Sequence, residues 1–433
     1  MYTVGLYTLG CKVSQYETVA IGEEFVRRGF TVLPYDAVCD AYVINTCTVT
    51  GESDRKSRSV IRRAIKKNPG AVVAVVGCYS QRSPAELLAI DGVHIVLGTE
   101  AKLSVVDRVL SMLDLGVRLK ESAIFDVDTA EFEPMCIHTA PRVRAYVKIE
   151  DGCECKCTYC AISAARGRVR SKRPEDVIRE VEGLYQNGVR EVVLTGIETG
   201  SYGADFDYKY GLADLILELN LRHSCDRIRL GSLAPELVGR EFCDKVAAAS
   251  IMVPHFHISM QSGSDNILRA MKRRYTRARA LENIQRLRAA MPGVQFTSDL
   301  LVGFPGESEE DFLATLDFIK EARLLDAHIF AYSKRSGTPA AEYKNQVPES
   351  VKKERSAMAI ATAAAVRDGV LDRVVKEGKA LSCVLETEKD GVFCAHSEEY
   401  IEVYVRAAGF SAGDIVKVRP VSHKNGIITA EII

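Results

Sequence analysis

Short apolar runs alternate with amphipathic stretches from the first residues of the chain. Thr3 to Leu9, Ala41 to Asn45 and Ala71 to Val76 are compact apolar runs of strand length. Between them, Ser14 to Arg28 and Glu52 to Lys67 carry apolar positions at helical period. Strand, helix, strand at this spacing predicts a parallel sheet with helices on its faces. Beyond residue 140 the alternation lengthens, with strands predicted near Ala145 to Ile149, Glu191 to Leu194, Arg227 to Leu230, His255 to Ile258, Gln295 to Asp299 and Ala327 to Phe330. A helix with apolar positions Val177, Ile178, Val181, Leu184 and Tyr185 opens at Pro174, where a missing amide costs nothing. Six strands alternating with helices predict a partial parallel barrel. An alanine-rich helix runs from Pro348 to Glu377, with Gly378 as its stop. After it the pattern changes to period two, in Leu381 to Leu385, Tyr400 to Tyr404, Ile415 to Val418 and Ile427 to Ala430, which predicts a small antiparallel barrel. The expected class is α/β, in three parts: 1–135, 136–370 and 371–433.

The strand ends are where chemistry concentrates. Cys11, Cys47 and Cys78 each follow one of the first three strands, beside Gly, Thr or Asn in a turn. In a parallel sheet such ends share one edge, where sites are built. A lone cysteine is most often a small buried hydrophobe; three at equivalent positions point instead to a metal centre. Cys153, Cys157 and Cys160 follow the first barrel strand with C-x3-C-x2-C spacing. Three thiolates on a four-iron cube leave one iron open for a chelating molecule, which a fully ligated cluster cannot offer. Cys155 is an extra thiol in this loop and reads as a bystander. A closed zinc site on Cys157, Cys160, Cys136 and His138 is the competing metal reading.

Composition bounds the class. The chain has 433 residues, 47% apolar and 27% charged, with a formal net charge of -1, which fits a multidomain globular protein. Thirteen cysteines in tight local spacings suit a reducing compartment. No secretory signal or membrane-length apolar run is present, so a cytoplasmic protein without a membrane partner is expected. One basic run is Arg55, Lys56, Arg58, Arg62, Arg63, Lys66 and Lys67; another is Arg166, Arg168, Arg170, Lys172 and Arg173. Such runs are commonly solvated faces, but the second trails the cysteine loop and so suits a polyanion. From Leu381 onward, five basic residues face eight acidic ones, a poor general anchor for phosphate.

Thr8-Leu9-Gly10-Cys11-Lys12-Val13, Asn45-Thr46-Cys47-Thr48-Val49-Thr50, Asp151-Gly152-Cys153, Gln261-Ser262-Gly263-Ser264 and Val302-Gly303-Phe304-Pro305-Gly306-Glu307, together with the C-x3-C-x2-C loop, resemble the radical S-adenosylmethionine methylthiotransferase family nearly end to end. The start around Cys11, the run around Cys47, and Tyr332-Ser333-Lys334-Arg335-Ser336-Gly337-Thr338-Pro339-Ala340-Ala341 are similar to the branch acting on threonylcarbamoyladenosine in tRNA. Other branches act on isopentenyladenosine or on a ribosomal-protein aspartate. The sequence departs from the family at Ser14, at Ser163-Ala164-Ala165, and at Leu233-Ala234-Pro235, where a carboxylate is lost.

The resemblance implies two 4Fe-4S clusters, on Cys11, Cys47 and Cys78 and on Cys153, Cys157 and Cys160. It implies two molecules of S-adenosylmethionine per turnover, one cleaved to a 5'-deoxyadenosyl radical, with Tyr159, Gly196, Glu198 and Gln261 as its contacts. The terminal barrel would be a TRAM domain. Arg166, Arg168, Arg170, Lys172 and Arg173 are expected at the rim of the site, against the tRNA anticodon loop. An electron donor such as flavodoxin or ferredoxin and a sulfur source are further implied partners. From another class, a non-catalytic zinc or RNA-binding protein would leave six cysteines at strand ends without a role.

Overall fold

A computed structural model describes residues 1–433. The first part is a six-stranded, wholly parallel sheet, ordered Thr31–Leu33, Thr3–Thr8, Ala41–Thr46, Val72–Gly77, Ile95–Leu97, Glu121–Ala123. The three long strands lie side by side at its centre; Ala41–Thr46 and Val72–Gly77 are buried along their whole length, as central parallel strands are. Helix Gly51–Lys67 covers one face through Val60, Ile61 and Ala64. Thr50 caps it by accepting the Ser53 amide at 3.1 Å, with Glu52 and Asp54 in the first turn and Lys66 and Lys67 in the last.

The second part has all six expected barrel strands, each parallel to its neighbours. Arg227–Leu230, Glu191–Thr195 and Arg144–Lys148 form one group; His255–Gln261, Gln295–Val302 and Asp326–Ala331 form the other, extended by Ser232–Leu233. The groups meet through backbone bonds of Ile228 to Ile251 and Val253. The barrel stays open, and both edges are covered. Helix Lys12–Arg27 of the first part lies on the Arg144–Lys148 edge, where the fully buried Tyr16 joins the barrel core and donates to the Met135 carbonyl at 2.7 Å. Helix Glu349–Glu377 packs on the Asp326–Ala331 edge and continues unbroken past the expected boundary at 370.

The last part is a closed five-stranded barrel, one strand more than the periodicity suggested, Val392–Ser397 being the addition. It docks at the amino ends of the central strands, opposite the cysteine loops. Glu386 pairs with Arg144 at 2.5 Å, Glu398 with Arg227 at 3.1 Å, and the Tyr400 ring lies 4.9 Å from the Arg229 guanidinium. These contacts account for part of the acidic excess of this barrel: it faces arginines of the neighbouring part. No helix is long and apolar enough to cross a membrane.

Candidate active site

The first cysteine trio comes together because its three strands are adjacent. Thr8 is opposite Asn45, and Thr46 is opposite Gly77, so the turns that follow open onto one edge. Glycine precedes two of the cysteines for a steric reason. Gly77 has φ +102°, and a β-carbon there would lie 2.5 Å from Asn45 Oδ1. At Gly10 (φ +120°) it would lie 3.0 Å from Cys47 Cβ, tighter than such contacts run, so the glycine lets these turns close on one another. Burial pushes the Cys47 thiol up to about 11 and also raises Cys78, the charge of each neighbouring cysteine adding to the effect. Ser14, at a position where the sequence departs from the family, is buried with its hydroxyl 3.8 Å from Cys11 Sγ.

The second trio sits in the loop after Arg144–Lys148. Its base is a two-residue antiparallel pairing of Glu150 and Asp151 with Arg170 and Ser171. The loop is pinned by Cys153 N to the Gly167 carbonyl at 3.0 Å, Thr158 N to Met271 O at 3.1 Å and Ala340 N to Thr158 O at 2.9 Å. Cys157 Sγ accepts from Arg273 Nη1 at 3.2 Å, and Cys160 Sγ from the Ile162 amide at 3.4 Å. Burial raises Cys157 and lifts Cys160 to about 11. The neighbouring Cys153 side chain, with Arg273 nearby, lowers the Cys155 thiol to about 6.

One buried ionic network joins the two loops. Arg166 is fully buried and reaches Glu17 Oε1 at 2.7 Å, Asp151 Oδ2 at 2.9 Å and Cys78 Sγ at 3.2 Å. Lys102 pairs with Glu17 at 2.5 Å, Lys148 with Asp151 at 2.5 Å, and Arg170 with Glu100 at 2.7 Å. The cations Arg166, Lys102, Lys148 and Arg170 thus outnumber the carboxylates Glu17, Asp151 and Glu100 by one. A cluster-bound thiolate at Cys78 would supply the missing negative charge. Together with Arg273 on Cys157, this is the environment that favours anionic sulfur ligands. Arg82, from the short helix begun by Cys78, lies near enough to Cys160 to share its electrostatic field. The residues therefore fit anionic clusters at both trios. The single-ion reading fares differently: the one group of three ligand atoms within 4.8 Å of one another is His257, Asp299 and His328, not a cysteine set.

The expected S-adenosylmethionine contacts are spread around the second loop. Glu198 is buried, accepts the Ala234 amide at 3.2 Å, and is raised to about 7, chiefly by burial and then by Cys155. Gly196 lies against the Glu150 side chain, which occupies the space a β-carbon would need. Glu150 accepts the Glu198 amide at 2.9 Å and is pushed well above the carboxylate range by burial. Gln261 ends its strand at φ +67° beyond a register shift. Tyr159 packs against the apolar group that includes Phe304 and Tyr332. Near the position where a family carboxylate is lost, Glu236 carries an unpaired buried oxygen and acts electrostatically on both Cys155 and Glu198.

The basic run after the loop divides. Arg166, Arg170 and Lys172 are buried, Lys172 being paired with Glu180; only Arg168 and Arg173 face solvent. Three of the five charges expected at the rim are thus held by carboxylates, Arg166 and Arg170 by Glu17 and Glu100 from the first part and Lys172 by Glu180 in the following helix. Arg273, Glu17, Lys102 and Lys148 were missed by sequence reasoning, which has no periodic or spacing signal for them.

Two family models match: the radical SAM superfamily over residues 147–319, and the model described as Uncharacterized protein family UPF0004 over residues 3–98. The chain is 40% identical over 439 residues to the threonylcarbamoyladenosine tRNA methylthiotransferase MtaB of Bacillus subtilis, covering 97% of this chain and 94% of that one. It is 34% identical over 359 residues to the tRNA-2-methylthio-N(6)-dimethylallyladenosine synthase of Carboxydothermus hydrogenoformans, covering 81% and 80%. Among solved structures, the radical S-adenosylmethionine methyltransferase TsrM from Kitasatospora setae shares the fold, with a TM-score of 0.57 at 16% identity, over 78% of this chain and 77% of that one. Fold and site thus define a radical S-adenosylmethionine enzyme. Within that class, the chain belongs to the methylthiotransferase family.

Proposed function

We propose that this protein converts N6-threonylcarbamoyladenosine beside the tRNA anticodon into its 2-methylthio derivative. The observation that carries the reading is the pair of cysteine trios at strand carboxyl ends, one on three turns and one in a single loop, tied together by Arg166. Cys153, Cys157 and Cys160 would hold one 4Fe-4S cluster, and Cys11, Cys47 and Cys78 the other. When bound, the clusters and S-adenosylmethionine supply the electron, radical and sulfur chemistry that an unactivated aromatic C–H bond requires.

The protein's own residues do the rest. Glu198, buried and poised near neutrality, is placed to pair with a cationic amino group, and Gln261 turns its side chain from the adjoining strand end. Arg273 and the Ile162 amide orient sulfur at Cys157 and Cys160, as Arg166 does at Cys78.

For RNA, the exposed Arg168 and Arg173 border a groove of about 700 Å³ that also includes Phe206. Tyr208 stacks on Phe206 at 5.2 Å, an aromatic and basic combination suited to unpaired bases. Helix Gly51–Lys67, directly behind Cys47, exposes Arg55, Lys56, Arg62, Arg63, Lys66 and Lys67 as a second phosphate-facing surface. The division at 1–135, 136–370 and 371–433 assigns the second cluster, the radical core and the TRAM barrel in turn. A cytoplasmic setting, a flavodoxin or ferredoxin type of reductant and a sulfur donor complete the reading.

Mass spectrometry of tRNA nucleosides from cells lacking the protein tests it. Loss of methylthiolated threonylcarbamoyladenosine alone supports the proposal. Loss of methylthiolated isopentenyladenosine, or of a ribosomal-protein modification, assigns the enzyme to another branch.

A further inference from the structure

A polar cavity of about 260 Å³ lies inside the central barrel, between its strands and the terminal barrel. It is smaller than the roughly 300–1,000 Å³ of sites for whole ligands, and so has room for a substituent only. Lys12, Arg229, His255, His257, Asp299 and His328 are among its walls. Lys12 directly follows Cys11, so its side chain links the first cysteine trio to the wall of this cavity, whose far end is closed by the terminal barrel.

The charges around this cavity are not equivalent. Arg144 is paired with Glu191 and Glu386, Arg229 with Glu191 and Arg367 with Asp326. Lys12 has no carboxylate within 4.0 Å; its ammonium faces Asp299 only at longer range. Asp299 itself is engaged by His257 Nε2 at 3.3 Å and His328 Nδ1 at 3.0 Å.

A hydrogen-bonded chain leads away from Asp299. Thr297 Oγ1 is 2.9 Å from His257 Nδ1 and 3.1 Å from His255 Nε2. A carboxylate only accepts. With neutral rings and the His257 Nε2–H on the side of the Asp299 carboxylate, His257 accepts at Nδ1 from the Thr297 hydroxyl, which in turn accepts from His255 Nε2–H. His255 Nδ1 is then left as a bare acceptor, and it has no partner although the residue is 3% exposed. The cavity thus offers one unpaired cation, while the unpaired His255 nitrogen is buried in its wall. The spacing of His257, Asp299 and His328 also suits a single metal ion, but Lys12 already places positive charge opposite Asp299 and opposes a dication there.

We propose that this cavity receives the N6 substituent of the target adenine, with Lys12 binding its carboxylate. The inference rests on the threonylcarbamoyladenosine reading above. A threonylcarbamoyl group carries a carboxylate, a ureido N–H and a hydroxyl. A dimethylallyl group has none of these and would leave Lys12 unpaired, which is how a site rejects an apolar analogue.

The test uses holoenzyme and anticodon stem-loop RNAs carrying threonylcarbamoyladenosine or its threoninamide analogue, in which a carboxamide replaces the carboxylate. Wild type should prefer the acid by about 10–100-fold in kcat/KM, the range of one charged hydrogen bond. Lys12→Met should bring the two substrates to near equality, with iron content unchanged, and Lys12→Arg should restore the preference. Because Lys12 adjoins Cys11, the same ratio is also read as binding of the two RNAs by fluorescence anisotropy, which needs no turnover. A Lys12→Met enzyme that keeps the wild-type preference, or a wild type that does not distinguish the two RNAs, overturns the inference. A wild type that fails to modify the acid RNA at all refutes the substrate reading instead.

Discussion

Arg166 Nε donates to Cys78 Sγ at 3.2 Å, so a residue trailing the second cysteine loop completes the surroundings of the first. The same guanidinium bonds Glu17 and Asp151, which belong to different parts of the fold. Replacing it with leucine removes the guanidinium that Glu17, Asp151 and the Cys78 sulfur share and breaks up the buried network, at a cost of about 3–5 kcal/mol. Arg166→Leu should lower the unfolding midpoint in a thermal melt and lose iron from the Cys78 site. Arg166→Lys, which keeps the charge without the fork, should fall between. Wild-type stability in the leucine variant would show that the network does not join the two parts.

Arg273 tests the second loop in the same way. Its bond to Cys157 Sγ places positive charge on a cluster ligand, and hydrogen bonds to sulfur set cluster potential. Arg273→Met should move the midpoint potential of the Cys153, Cys157, Cys160 site in the negative direction and reduce activity by about 10–100-fold. An electron-paramagnetic redox titration reads the shift; an unchanged potential would remove Arg273 from that role.

Glu198 predicts a pH dependence. Its folded value, about 7, is above that of the free side chain, so its contribution to stability is present below the unfolded value and is lost as pH rises through 7. Ionisation of the empty site therefore costs stability, on the order of 3 kcal/mol at most. An amino group bound to the carboxylate reverses the preference: affinity for S-adenosylmethionine should weaken as pH falls below about 7, by up to tenfold per unit. Glu198→Gln should flatten the profile. A wild-type affinity independent of pH from 5.5 to 8.5 would contradict the assignment.

The divided basic run makes its own prediction. Arg168→Ala and Arg173→Ala should each reduce the salt slope of tRNA binding by about one, with stability unchanged. Arg170→Ala should instead lower the melting temperature, because it strands Glu100. The reverse pattern, measured by filter binding and calorimetry, would restore the continuous rim.

These contrasts follow what could be read along the chain. Val72–Gly77 was visible because a parallel strand buried on both faces is a nearly continuous apolar run. Thr31–Leu33 and Glu121–Ala123, three-residue edge strands with exposed positions, carry no such signal. The cysteines were legible because strand ends in a parallel sheet share an edge. Arg166, Arg170 and Lys172 were not, since a run of charges does not reveal partners such as Glu17, 149 positions away. Lys12 was noticed only as part of a motif; its unpaired state depends on where every neighbouring carboxylate goes.

Anaerobically purified protein analysed for iron and sulfide, beside Cys11→Ala and Cys153→Ala, tests the central claim most directly. The account predicts about eight irons in wild type and about four in each variant, with visible charge-transfer absorption throughout. A colourless protein with stoichiometric zinc, or a variant that keeps all its iron, would contradict it.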